Sequence, residues 1–224
     1  MLLILDTADI NAIKHISEYY PVDGVTTNPS IIAKENTDFW SLLKEIRKII
    51  GEDKMLHAQT TQNTADKIVE EALLMKKELK GSFFVKIPIS EEGLKATMEL
   101  KKLGVGVTMT AIFTPAQALI AAKAGADFVA PYVNRLDNIL GDGTEVVAQI
   151  VKLFKLHALN SKVLAASFQN AEQVHKCAMY GCDAVTISAD IPKTLISHPM
   201  TDNAIAGFNK DWKNAYGDKT ILDF

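Results

Sequence analysis

The sequence is poor in the residues that mark several large classes of protein. It has two cysteines, Cys177 and Cys182. Their C-x4-C spacing beside His175 does not supply the four tightly paired ligands of a structural zinc site. Two thiols do not make a disulfide scaffold, and they fit a reducing compartment. We expect Cys177 on the buried side of a helix and Cys182 just before a strand. The formal net charge is only −3, and no long run of one sign occurs, so no nucleic-acid surface or basic membrane patch is expected. The opening MLLILDTADI is apolar for five residues and then reaches Asp6. It lacks a basic flank, so neither an export signal nor a membrane span is expected, and the expected location is cytoplasmic. There is no G-x-G-x-x-G after an early strand, no solenoid-length repeat and no linker. The five histidines (His15, His57, His157, His175, His198) are scattered, which disfavours a metal-dependent enzyme. Only His57 lies near a strand end, where it alternates with Gln59 on the third run, and it is expected to be a packed imidazole rather than a ligand.

What the sequence does have is alternation. Eight short β-rich runs occur at 2–6, 24–28, 55–59, 83–88, 106–111, 127–132, 162–168 and 183–188. They are almost continuously apolar, as strands buried on both faces of a parallel sheet are. Helical patterns lie between them. Residues 62–79 place Ala65, Ile68, Val69, Ala72 and Leu73 on one stripe. Thr114 and Pro115 read as the N-cap and first position of a helix that stops at Gly125. Asn170 and Gln173 resemble a capping box. Val146, Val147, Ile150, Val151 and Phe154 recur at helical spacing within 143–157. The expected fold is α/β, a (β/α)8 barrel of the TIM type, with a doubly wound open sheet as the alternative. Residues 1–224 are expected to form one domain, with 200–215 a last helix beyond the barrel.

Barrels of this type carry their chemistry at the C-terminal ends of the strands. Those ends hold Asp6; Thr26, Thr27 and Asn28; Gln59; Lys86; Thr110; Tyr132, Asn134 and Arg135; Ser167; and Ser188. Most have plain alternatives: Thr and Asn form turns, Tyr132 could be a core aromatic, and Asp6 could cap the first helix. Lys86 is harder to explain. It stands inside SFFVKIPIS, where a charge is costly unless it snorkels to the rim or pairs with Asp6. Burial lowers a lysine's pKa, and a neutral amine attacks carbonyls. Lys86 therefore fits Schiff-base chemistry. Gln59, Thr110 and Tyr132 could hold a catalytic water, Asp6 is the one acid among the strand ends, and Arg135 with Ser167 could hold a phosphate.

LDTADI, GVTTNPSII, VKIPISEEGL, APYVNRLDN, VLAASF and HPMTD together resemble the small transaldolase family, and within it the fructose-6-phosphate aldolases. The likeness runs from residue 2 to about 213. It implies Lys86 as the Schiff-base lysine and Asp6 as the acid/base at the C4 hydroxyl. It also implies Thr110 beside the catalytic water, Asn28 at the donor's hydroxyls with Thr26 near it, and Arg135 and Ser167 at the phosphate. No cofactor and no metal are implied, and the partners expected are sugar phosphates and ketols. Members of this size often form decamers of two pentamers, with the last helix reaching a neighbour, so a homo-oligomer is expected. The alternative is that this helix folds back onto its own barrel.

Gln59 and Tyr132 stand where transaldolases carry glutamate and phenylalanine, and so resemble the aldolase. A transaldolase passing the same three-carbon unit between sugar phosphates is the nearest rival, and a non-catalytic sugar-phosphate-binding barrel the next. One departure from the family stands in SFQN, where Gln169 replaces a usual basic residue and removes a charge-assisted phosphate contact.

Overall fold

The computed structural model describes residues 1–224. Elements alternate from the start: β1 (Leu2–Asp6), α1 (Ile10–Tyr19), β2 (Gly24–Thr26), α2 (Pro29–Lys34), α3 (Phe39–Ile50), β3 (Met55–Gln59), α4 (Ala65–Leu79), β4 (Phe83–Pro88), α5 (Glu91–Lys102). The second half continues with β5 (Gly106–Ile112), α6 (Pro115–Lys123), β6 (Phe128–Pro131), α7 (Asn134–Asp137), α8 (Gly143–Leu156), β7 (Lys162–Ala165), α9 (Ala171–Met179), β8 (Ala184–Ile187), α10 (Ile191–Ile196) and α11 (Pro199–Tyr216). The eight strands are parallel and close in sequence order, with β8 paired to β1. This is the expected (β/α)8 barrel, and the open-sheet alternative does not hold. No helix is long and apolar enough to cross a membrane.

Side chains on a strand alternate between two faces, and the barrel sorts them into two cores. Outward residues such as Val25, Leu56, Val85, Ile87, Val107 and Val129 join the helices in a cluster of 44 buried residues. Inward residues at the N-terminal end form a small apolar plug of Ile4, Phe128, Leu164 and Ala184, flanked by Leu2, Met55 and Phe84. Gly106 is part of this fit, because a Cβ there would lie 2.6 Å from the Phe84 ring. Moving along the strands toward their C-terminal ends, the inward residues become polar.

Local chemistry sets the helix starts. Asp9, Asn28, Asp38, Ser90, Thr114, Asp142 and Asn170 each accept a hydrogen bond from the first turn of the helix they precede. Asp9, not Asp6, caps α1, which leaves Asp6 free to face the barrel. Thr114 and Gln117 form a full capping box, with Pro115 at the first position as expected. The second expected box differs. Gln173 does donate its backbone N–H to Asn170, but its side chain reaches the N–H of Gln169 instead of that of Asn170. On α4 the stripe is Ala65, Ile68, Val69, Ala72 and Met75, while Leu73 is exposed, because the helix presents Met75 and Leu79 inward rather than Leu73. α11 follows the barrel and buries none of its 18 residues.

Candidate active site

Lys86 sits on β4 between Val85 and Ile87, which point to the helices, so its own side chain points into the barrel. It is 4% exposed. Its Nζ donates to the carbonyl oxygen of Thr27 at 2.9 Å, reaching past β3 to the end of β2. It does not form an ion pair with Asp6. Burial holds the amine below the ordinary lysine range, while the charge of Asp6 pushes back the other way.

A second buried cation shows what a structural charge looks like here. Arg47 donates to the carbonyls of Leu79, Gly51, Lys54 and Ser82, at 2.7–3.0 Å. Its fork ties the N-terminal ends of β3 and β4 to α3 and α4. Lys86 has three donors and one protein acceptor, so its amine is left available on the inner side.

The neighbours of Lys86 come from other strands. Gln59 on β3 and Thr108 on β5 are its register partners. Asp6 pairs in register with Thr26, whose hydroxyl donates to Asp6 Oδ1 at 2.6 Å. Thr26 has then used its proton, so it accepts from Thr186 Oγ1 at 2.6 Å. The result is a chain Thr186→Thr26→Asp6 that fixes the carboxylate's orientation. On the other side, Thr110 Oγ1 and Tyr132 OH are in contact at 3.1 Å. The Arg135 guanidinium lies 4.7 Å above the Tyr132 ring, and Phe113 packs edge-on against it. Tyr132 follows β6 and bridges to Ala166.

Backbone distortion occurs at two strand ends in this group. β5 shifts register between Met109 and Ile112, and Ala111 has φ +56°. Ser167, just beyond β7, has φ +61°. Left-handed backbone at a non-glycine residue costs roughly 1–2 kcal/mol, and such residues cluster at functional sites. Asn28 is committed in part: its Oδ1 accepts from the Ile31 N–H and starts α2, leaving the amide nitrogen for other partners. Gln59 also lines a cavity of about 270 Å³ between α3 and α4, with Phe39, Trp40, Thr61, Glu71, Leu74 and Met75.

The barrel thus gathers Asp6, Thr26, Gln59, Lys86, Thr110 and Tyr132 at one end, with Asn28, Arg135 and Ser167 at the same rim. Reading strand ends did not reveal Thr186 or Thr108, which lie one turn of the pleat deeper. The period-two alternation of β8 and β5 carried that signal. His57 is a packed imidazole, as expected. It is fully buried, stacked on Phe84 at 4.8 Å between centroids, and its Nδ1 contacts Thr108 Oγ1 at 2.9 Å. Its Nε2 has no partner. Burial, then the nearby charges of Lys86 and Arg47, hold its pKa down to about 3, so it is neutral. No group of three or more His, Cys, Asp or Glu residues is arranged to hold a metal ion. Burial pushes both cysteine thiols up to about 12, which makes them inert packing groups.

The closed parallel barrel, with a sparsely bonded lysine in its interior, is a (β/α)8 scaffold of the TIM type. The model of the transaldolase/fructose-6-phosphate aldolase family matches residues 3–219, and the chain belongs to that family. A solved structure described as a cube-shaped, highly porous cage, designed by fusing symmetric oligomeric domains, is similar in fold. It aligns with a TM-score of 0.56 at 16% identity, over 96% of this chain and 77% of that one.

Proposed function

We propose that this member of the family is a Schiff-base aldolase that cleaves fructose 6-phosphate to dihydroxyacetone and glyceraldehyde 3-phosphate, or runs the reverse addition. The observation that carries the reading is the buried Lys86, with one acceptor for its three donors and a pKa pushed down by burial. Its Nζ adds to the C2 ketone, and water leaves to give the iminium. Gln59, Thr110 and Tyr132 are the groups assigned to that water. Asp6 takes the C4 hydroxyl proton, and the C3–C4 electrons move into the iminium. Glyceraldehyde 3-phosphate departs and an enamine remains. Protonation at C3 and hydrolysis then release dihydroxyacetone. The iminium is the electron sink, so the scheme uses no metal or organic cofactor.

Tyr132 favours the aldolase over a transaldolase. Its hydroxyl lies 3.1 Å from Thr110 Oγ1, beside the position assigned to the water. A phenol there can help deliver a proton to the enamine, whereas a phenylalanine leaves the enamine waiting for a second aldehyde. The test is incubation with fructose 6-phosphate and no acceptor. Free dihydroxyacetone formed catalytically supports the aldolase. Turnover only when an aldose phosphate acceptor is added supports the transaldolase.

Asn28 and Thr26 are assigned to the donor's hydroxyls, and Arg135 with Ser167 to the phosphate. The reading extends to a cytoplasmic homo-oligomer of one-domain subunits, with α11 docked on a second copy. Ile205, Phe208 and Trp212 are spaced along one side of that helix and are all exposed. Light scattering should give a smaller particle for Ile205→Asp/Phe208→Asp than for the unaltered chain. Equal masses would remove α11 from the interface.

A further inference from the structure

Gln173 is an odd residue to bury. It sits in the first turn of α9 and is only 8% exposed. All of its side-chain hydrogen-bonding is directed at two neighbouring loops. Its Oε1 accepts from the Gln169 N–H at 2.8 Å. Its Nε2 donates to Asp137 Oδ2 at 2.6 Å and to Asn134 Oδ1 at 3.3 Å.

Asn134 and Asp137 are the first and last residues of the four-residue α7, and Arg135 lies between them. Gln169 lies on the segment that leaves Ser167, where the backbone is left-handed. The two loops also touch directly, through Asn134 N–H to the Ser167 carbonyl at 2.7 Å. One amide therefore holds both ends of the helical turn that carries Arg135, and the strained segment that carries Ser167. Asp137 is braced from its other oxygen by the Gly143 N–H at 2.7 Å. The grip has two ends: a carboxylate that needs a donor, and a backbone N–H that needs an acceptor. The primary amide of Gln173 supplies both, on two separate atoms of one side chain.

We propose that Gln173 is a positioning residue that sets the geometry between Arg135 and Ser167, and so controls recognition of a phosphorylated aldehyde without touching it. This rests on the assignment of Arg135 and Ser167 to the phosphate. With Gln169 in place of a second cation, fewer contacts hold the phosphate, and their relative placement matters more. The reacting end, at Lys86 and Asp6, lies on other strands.

The test compares the unaltered enzyme with Gln173→Ala, Gln173→Glu and Gln173→Glu/Asp137→Asn. Aldol addition of dihydroxyacetone is measured with glyceraldehyde 3-phosphate and with glyceraldehyde, and inorganic phosphate binding by calorimetry. Gln173→Ala should raise KM for the phosphorylated aldehyde about tenfold, the usual scale of a lost charge-assisted contact. KM and kcat for glyceraldehyde should stay within about twofold. Gln173→Glu keeps the acceptor for Gln169 but sets a carboxylate against Asp137, and should show the same selective loss. Adding Asp137→Asn restores a donor–acceptor pair and should recover most of the phosphate preference, which a purely structural role would not predict. Equal loss for both aldehydes, or no recovery in the double variant, overturns the proposal. If Gln173→Ala leaves a clear phosphate preference intact, Gln173 alone loses its role. If the unaltered enzyme neither prefers the phosphorylated aldehyde nor binds phosphate, the assignment of Arg135 and Ser167 falls, and this proposal with it.

Discussion

Lys86 Nζ and the carbonyl oxygen of Thr27 are 2.9 Å apart, and that single bond is all the protein offers a buried ammonium with three donors. The site is built at a thermodynamic loss, and the loss is measurable. The amine's pKa in the fold is below its unfolded value of 10.5. Between those two values the unfolded chain binds more protons, so stability rises with pH through that window. Below it the unfavourable contribution is present in full.

Lys86→Met should therefore abolish activity and raise stability at pH 7 by about 1–2 kcal/mol, as the loss of a strained functional group commonly does. The gain should shrink as the pH approaches 10.5. Urea unfolding at several pH values checks both statements. A variant less stable than the parent at pH 7 would show Lys86 to be a structural charge.

Tyr132→Phe should separate cleavage from transfer. Cleavage of fructose 6-phosphate without acceptor should fall about tenfold or more, a modest loss for a proton-delivery group. Transfer of the three-carbon unit to an added aldose phosphate should be retained or improved. A parallel fall in both rates would place Tyr132 in iminium formation alone.

Asp6→Asn should lower kcat by about 10²–10⁴, the range for a general acid–base group, while the variant still forms an imine with dihydroxyacetone. Asp6 is assigned to carbon–carbon cleavage, not to nucleophilic attack. The separation is read by trapping and steady-state rates on the same preparation. An Asp6→Asn protein that forms no adduct would assign Asp6 to the amine instead.

His57 predicts an acid limit. Its pKa is 6.5 unfolded and about 3 in the fold, so the unfolded chain binds the extra proton between those values. Stability should fall as the pH drops below 6.5, by at most about 1.4 kcal/mol per pH unit from this group. His57→Gln keeps a partner for Thr108 and removes the titration. Its stability should fall less steeply between pH 6.5 and 4.5. Parallel slopes would assign the acid lability to other groups.

All eight strands were legible because their apolar runs are continuous and punctuated, and a closed parallel barrel follows from eight such runs with helices between them. Lys86 stood out for the same reason, as a charge inside one of those runs. The wider strand-end group was legible only through the barrel hypothesis. Residues that act through alternation were not. Thr186 orients Thr26 and Asp6, yet in sequence it is one threonine in an ordinary strand. Gln173 was visible as part of a helix start, but not as a clamp on two loops, because its partners Asn134 and Asp137 are more than 30 residues away. Leu73 illustrates the opposite limit. It fits the helical stripe of α4, but the stripe is wider than the contact, and only packing decides which edge is buried.

Borohydride reduction in the presence of dihydroxyacetone, followed by intact mass and peptide mapping, tests the central claim most directly. The account predicts one reduced three-carbon adduct, on Lys86, absent from Lys86→Met. A folded protein that gains no adduct, or gains it on another lysine, would contradict it.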